Sequence, residues 1–308
     1  MKREPVPLDR IRGTAVGAAV GDALGMPLEF GPPRPAEALE RTMRAGRLPA
    51  GTFTDDTEMA LALAESLLAA RPLDSADLAN RFVAWLQAGP DDVGIQTQSV
   101  LARVAAGEPW AQAVAAMQRT RPDAAGNGSL MRCWPVALAY WDDLEGLKRD
   151  SALQSRVTHP HPDCVAGCVF ANMTVYYLLR GTSPAEAIAM ALEGVEMPAD
   201  LRALLASAPR RERGALANSG WVRHTLESAV WGLLTTSTFE EAVVQVVNLG
   251  HDADTAGTVV GALAGGAARR VADPQRAHLA GGGSDRAGRA VGGGHRQPVA
   301  GAAGWMQA

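Results

Sequence analysis

The apolar positions of this chain recur with helical spacing almost throughout. Ile11, Ala15, Ala18 and Asp22 share one face of a first segment, which "GMP" at residues 25–27 ends. Between Glu58 and Leu68 the same period aligns Met59, Leu63 and Leu67; within 75–87 it aligns Leu78, Phe82, Trp85 and Leu86. It predicts further helices over 97–106, 109–118, 128–141, 162–179, 184–192, 221–234, 239–249 and 255–268. Alternating β-branched runs are nearly absent, so the expected fold is all-α. The joining stretches, such as "EFGPPRP", "QAGPDDVG", "AAGNGS", "THPHPD" and "LGHDAD", are short and polar, and chemistry is expected there. Two Ala/Gly-rich segments, "GAAVGDALG" and "GTVVGALAG", are alike and predict two closely packed helices. Near Gly265 the aliphatic period gives way to Gly and Arg. The expected division is a folded unit over 1–265 and a poorly packed tail over 266–308.

Composition narrows the function classes. The 308 residues are 47% hydrophobic and 20% charged, an ordinary globular balance with room for a sizeable core. A net charge of -4 provides no basic field for nucleic acid or an anionic membrane. Aromatic residues at 5% give few platforms for base stacking. Cys133, Cys164 and Cys168 lack the paired spacing of a zinc site and read as structural thiols. Trp85, Trp134, Trp141, Trp221 and Trp231 sit on apolar helical faces and are expected in the core. The apolar stretches fall short of the ~20 residues that span a bilayer. A soluble, cytoplasmic, monomeric protein is expected.

One short segment complicates this picture. "FTDDTEMALALAES", residues 53–66, sets Asp55 beside Asp56 just before a helix. Thr54 or Asp55 could cap that helix, with Glu58 completing a capping box. A second segment, "GHDADTAGTVVGALAG" at 250–265, again places acids and a threonine before an apolar helix. Asp252 alone would serve as a cap, and Asp254 and Thr255 exceed that need. If the two helix starts meet, Thr54, Asp55, Asp56, Asp252, Asp254 and Thr255 make an oxygen-only cluster. Such a donor set suits hard cations, two Mg²⁺ or Mn²⁺ by ligand count. A two-metal site can bind substrate hydroxyls and activate water. Asp22 points inward on its helix and is expected to brace the site through hydrogen bonds to backbone amides rather than to bind metal. "AGNGSLMR", residues 125–132, is a glycine-bracketed turn whose amides could hold a pyrophosphate. Arg132 within it could pair with a buried acid or touch ligand.

Taken in order, "GDALGMPLEF", "TDDTEMA", "AGNGSLMR", "THP" and "GHDADTAGTVVGALAG" resemble the ADP-ribosylglycohydrolases, most nearly the bacterial branch typified by dinitrogenase-reductase-activating glycohydrolase. The resemblance covers about residues 8–265. It implies a single compact orthogonal helical bundle and a binuclear Mg²⁺ or Mn²⁺ centre. The implied activity is hydrolysis of the bond between the anomeric carbon of ADP-ribose and an acceptor. Matched position by position, it gives the metals Thr54, Asp55 and Asp56 from one side and Asp252, Asp254 and Thr255 from the other. Glu29 matches an acid facing the distal ribose and the metals. Asp92, in "PDDVGIQT", matches an acid at the acceptor or the water. These two are the candidates for proton transfer, unranked by sequence. Asn127, Gly128, Ser129 and Met131 match the ADP-ribose-contacting loop, and His159 a histidine near the diphosphate. His251 stands where glycine is common in the family.

The implied partner is an ADP-ribosylated protein, modified on arginine. The alternatives are O-linked ADP-ribose, a small ribosylated metabolite, or a non-catalytic ADP-ribose binder. Family members usually continue beyond the "DADT" helix with an aliphatic and aromatic segment. The Gly/Arg-rich sequence here suggests a divergent tail or a change of reading frame near residue 266.

Overall fold

The computed structural model describes residues 8–267. Within them the chain folds into thirteen α-helices with short 3-10 turns and no strand; the nearest approach to one is an isolated antiparallel bridge between Gly126 and Trp221. The helices are α1 Leu8–Gly25, α2 Asp55–Ala69, α3 Ser75–Gln87, α4 Ile95–Ala105, α5 Trp110–Thr120, α6 Pro135–Ala139 and α7 Leu144–Arg156. They continue as α8 Pro162–Leu179, α9 Pro184–Gly194, α10 Ala199–Ser207, α11 Val222–Thr235, α12 Phe239–Val247 and α13 Ala253–Ala267. No helix among the described residues is long and apolar enough to cross a membrane. The tail expected over 266–308 lies outside the described residues apart from its first two positions, which belong to α13.

The α1–α13 pair forms the spine, with α8, α11 and α12 packed around it. Its two members run antiparallel at a separation that only glycine permits. A Cβ on Gly21 would lie 1.9 Å from the Gly257 carbonyl oxygen, and one on Gly257 would lie 2.3 Å from that of Gly21. Gly13 and Gly17 meet Gly265 and Gly261 in the same way. The expected close packing of the two Ala/Gly-rich segments is therefore observed. It sets the end of α1 against the beginning of α13, where the acids stand.

Three expectations need correction. Residues 128–141 are not one helix: they form buried turns followed by the five-residue α6. Apolar content there signals burial rather than helix. In α7, which the apolar period misses, the buried face carries Asp150, Ser151, Gln154 and Ser155 beside Leu147. These polar groups have interior partners: Asp150 accepts from the Leu73 amide at 2.8 Å and Ser151 from Asn172 at 2.9 Å. The nine-residue α10, also missed, buries only Leu201 and Leu205. Cys133, Cys164 and Cys168 are free and buried. Among the tryptophans, Trp221 is 41% exposed at the start of α11, edge-on to His224.

Candidate active site

Two helix N-termini, nearly two hundred residues apart in sequence, meet beneath a cavity of about 1110 Å³. Asp55 and Asp56 open α2; Asp252 precedes α13 and Asp254 lies in its first turn. Thr255 Oγ1 donates to Asp56 Oδ2 at 3.3 Å, which closes the two halves on one another. Positive helix ends favour the acids electrostatically, and irregular chain on either side leaves them facing the cavity.

The anticipated capping box does not form at α2. Thr54 occupies the cap position, yet its side chain makes no capping bond, and the Glu58 carboxylate accepts from Trp85 Nε1 at 2.7 Å. The cap comes instead from another helix. Asp22 of α1 accepts from the Thr54 and Thr57 amides at 3.0 and 3.1 Å and from their hydroxyls at 2.9 and 2.6 Å. With the helix start satisfied in this way, Asp55 and Asp56 need not serve as caps.

Electrostatics at this point are severe. Burial holds Asp55, Asp56 and Asp254 well above the usual carboxylate range, and neighbouring carboxylates push further in the same direction. Burial likewise raises Asp252 and Glu29, and it raises Asp22 to about 6 in spite of four hydrogen bonds that oppose it. Among the described residues, Arg47 is the cation that bonds into the cluster. Its Nη2 lies 2.7 Å from Glu29, 3.0 Å from Asp92 and 3.6 Å from Asp254. Sequence reasoning missed it: an arginine in "RAGRLPAG" carries no periodic or motif signal.

The donor set fits a hard cation. Carboxylate oxygens of Glu29, Asp252 and Asp254 come within 4.8 Å of one another, and the buried Asp56 Oδ1 has no hydrogen-bond partner. Oxygen donors only, several of them anionic, are the chemistry of Mg²⁺ or Mn²⁺ rather than zinc.

Along the cavity wall from the acids lies the Asn127 turn. Asn127 Nδ2 bonds Asp252 Oδ2 at 2.6 Å and Thr225 Oγ1 at 2.8 Å, tying the turn to the cluster. The amides of Gly126 and Gly128, which line the cavity, have no acceptor among the described residues. Met131 and His159 also line it. Ser129 does not; it is fully buried, with Oγ 2.8 Å from Ser155 Oγ. Arg132 meets neither an acid nor the cavity. It is completely buried, stacked 4.2 Å from the Phe82 ring centre and bonded to Gln154 and Thr158. His251 lines the cavity with φ 55, a left-handed conformation natural to glycine. Phe30, at φ 61, bonds back to it through its amide.

The described residues thus form an all-helical fold in which two acidic helix starts meet beneath one cavity, a donor set of oxygens only. The chain belongs to the ADP-ribosylglycohydrolase family, whose sequence model matches residues 3–285; these enzymes hydrolyse ADP-ribosyl glycosidic bonds. It is 34% identical over 273 residues to the ADP-ribosylarginine hydrolase Tri1 of Serratia proteamaculans, covering 84% of this chain and 71% of that one. It is 34% identical over 263 residues to the ADP-ribosyl-[dinitrogen reductase] glycohydrolase of Rhodospirillum rubrum, covering 83% and 85%. A solved ADP-ribosylglycohydrolase-related protein complex superimposes with a TM-score of 0.69 at 34% identity, over 85% of this chain and 88% of that one.

Proposed function

We propose that this protein removes ADP-ribose from arginine side chains of modified proteins in a metal-dependent hydrolysis. The observation that carries the reading is the convergence of Asp55 and Asp56 with Asp252 and Asp254, beside a cavity whose far wall offers free amides. The similarity to an ADP-ribosylarginine hydrolase supports arginine as the acceptor, and that to a glycohydrolase of ADP-ribosylated dinitrogen reductase supports a protein substrate.

Thr54, Asp55, Asp56, Asp252, Asp254 and Thr255 would hold two Mg²⁺ or Mn²⁺, with Glu29 at the edge of the set. When bound, such ions fix neighbouring ribose hydroxyls and lower the pKa of water. The remaining work falls to the chain. The amides of Gly126 and Gly128 and the ring of His159 receive the diphosphate, and the Asn127 turn fixes the ligand relative to the acids. In the reaction, the water oxygen bonds to the anomeric carbon and the C–N bonding pair leaves on the guanidine nitrogen. That nitrogen takes up a proton while the water gives one up. Glu29, with only 9% of its side chain exposed and its carboxylate at the edge of the set, is placed to give the proton to the leaving nitrogen. Asp92, with a third of its side chain open to solvent, is placed to take the proton from the water. The Arg47 guanidinium rests on both. An acceptor guanidinium has the same charge and shape, and these acids would receive it.

The test is release of ADP-ribose from Arg-linked, Ser-linked and O-acetyl substrates, with Mn²⁺ or EDTA, for wild type and Asp55→Ala. Arg-linked turnover lost on chelation and in the variant is expected. Turnover indifferent to both would sink the metal-dependent mechanism, and turnover confined to O-linked substrates would overturn the acceptor.

A further inference from the structure

Thr158 and His159 lie in the turn between α7 and α8, and their backbone is pinned. The His159 amide donates to Ser155 O at 2.7 Å, Ser155 Oγ donates to His159 O at 2.8 Å, and Gln96 Nε2 donates to Thr158 O at 2.9 Å. The imidazole is 2% exposed, yet it lines the cavity. Its Cε1–Nε2 edge lies on the Gly126–Gly128 turn: a Cβ on Gly128 would be 3.1 Å from Nε2, and one on Gly126 would be 3.6 Å away. Nε2 has no partner among the described residues. On the opposite side, Nδ1 is 2.8 Å from Thr158 Oγ1.

The proton on this ring follows from Arg132. A guanidinium can only donate. Its Nη2 bonds Thr158 Oγ1 at 2.7 Å, so the threonine oxygen accepts there and must send its own hydrogen elsewhere. The other polar atom bonded to that hydroxyl is His159 Nδ1. Nδ1 is therefore the acceptor, and the ring proton sits on Nε2. Protonating Nδ1 as well would put a second cation beside the buried Arg132 and leave the hydroxyl hydrogen without an acceptor.

We propose that Arg132 and Thr158 are positioning residues that hold His159 in its Nε2–H form, as a neutral donor aimed into the cavity at an anionic phosphate oxygen. Naming the anion as the diphosphate of ADP-ribose rests on the function proposed above; the tautomer does not. Burial and the Arg132 charge hold the imidazolium pKa down to about 3, so the donor keeps its state throughout the physiological range. A relay from a permanently charged group fixes both the direction and the charge of the contact.

Nitrogen-15 NMR of histidine-labelled protein at pH 7, with the His159 signals assigned by their loss in His159→Gln, reads the tautomer directly. Nε2 is expected to be pyrrole-like and Nδ1 pyridine-like. Thr158→Val should abolish that preference and weaken ADP-ribose binding by about tenfold, the equivalent of about 1.4 kcal/mol, whereas Thr158→Ser should preserve both. His159→Gln, whose amide N–H can stand in for Nε2–H, should bind ADP-ribose within about threefold of wild type, and His159→Asn should not. A proton on Nδ1, an imidazolium at pH 7, or a Thr158→Val protein with unchanged tautomer and affinity would overturn the relay. If ADP-ribose fails to bind wild type while the NMR result stands, the ligand assignment falls and the tautomer is upheld.

Discussion

At the scale of single residues, burial decides what each ionisable group contributes. His159 has a folded pKa of about 3 against 6.5 for a free histidine. Between those values the unfolded chain binds a proton that the native state refuses, so stability falls as pH drops through 6.5 toward 3. Each unit of pH below 6.5 costs up to about 1.4 kcal/mol. Urea denaturation at pH 7.5 and pH 5 should therefore show wild type losing about 2 kcal/mol more than His159→Gln; equal losses would mean that the imidazole is protonated in the fold. Arg47 presents the converse case, a single guanidinium on Glu29, Asp92 and Asp254. Removing it deletes a cation that competes for the same oxygens. Arg47→Ala should bind Mn²⁺ roughly tenfold more tightly by calorimetry, a Coulomb effect of about 1.4 kcal/mol at partly exposed charges. Unchanged or weaker binding would show that the arginine supports the site instead of competing for it.

Between elements, the geometry of the site depends on how closely α1 and α13 approach. Gly21 sits one residue before Asp22, which caps α2, and Gly257 lies in the first turns of α13 beyond Asp254 and Thr255. A methyl at Gly21 would meet backbone at 1.9 Å, so the helices must part. Gly21→Ala should cost about 1–3 kcal/mol and weaken Mn²⁺ binding as well, because the acids on the two sides move apart. Gly214→Ala, with nothing within 4 Å of the added carbon, is the control expected to change neither. Thermal melts and Mn²⁺ titration of the two variants check this, and a Gly21→Ala protein with full metal affinity would separate the spine from the site. This spine was legible in the sequence, because its small residues repeat every four positions in two like segments. The doubled acids were legible too, since they exceed what a helix start requires. What escaped was set by tertiary partners. The buried face of α7 is polar because Leu73, Asn172, Ser129 and Arg132 satisfy it. The capping of α2 by Asp22 and the reach of Arg47 depend on where distant backbone lies, which no local pattern records.

For the whole molecule, the same acids that define the site oppose folding. Asp55, Asp56, Asp252 and Asp254 come from two distant segments, and burial and mutual repulsion act on them only once the chain is folded. A cation that binds the native state and not the unfolded chain adds about 2.7 kcal/mol at a hundredfold excess over its dissociation constant. At roughly 2–4 °C per kcal/mol for a domain of this size, Mn²⁺ should raise the melting temperature of wild type by about 5–10 °C over EDTA. Asp55→Ala acts on both sides of this balance. It removes one source of repulsion from the metal-free protein and one ligand from the loaded one. The variant should melt at or above wild type in EDTA and below it in Mn²⁺, so the order of the two proteins reverses with the ion. A purely structural acid would lower the melting temperature under both conditions, and a spectator would lower neither. Only a carboxylate retained for a cation, at a cost to the bare fold, gives the crossing.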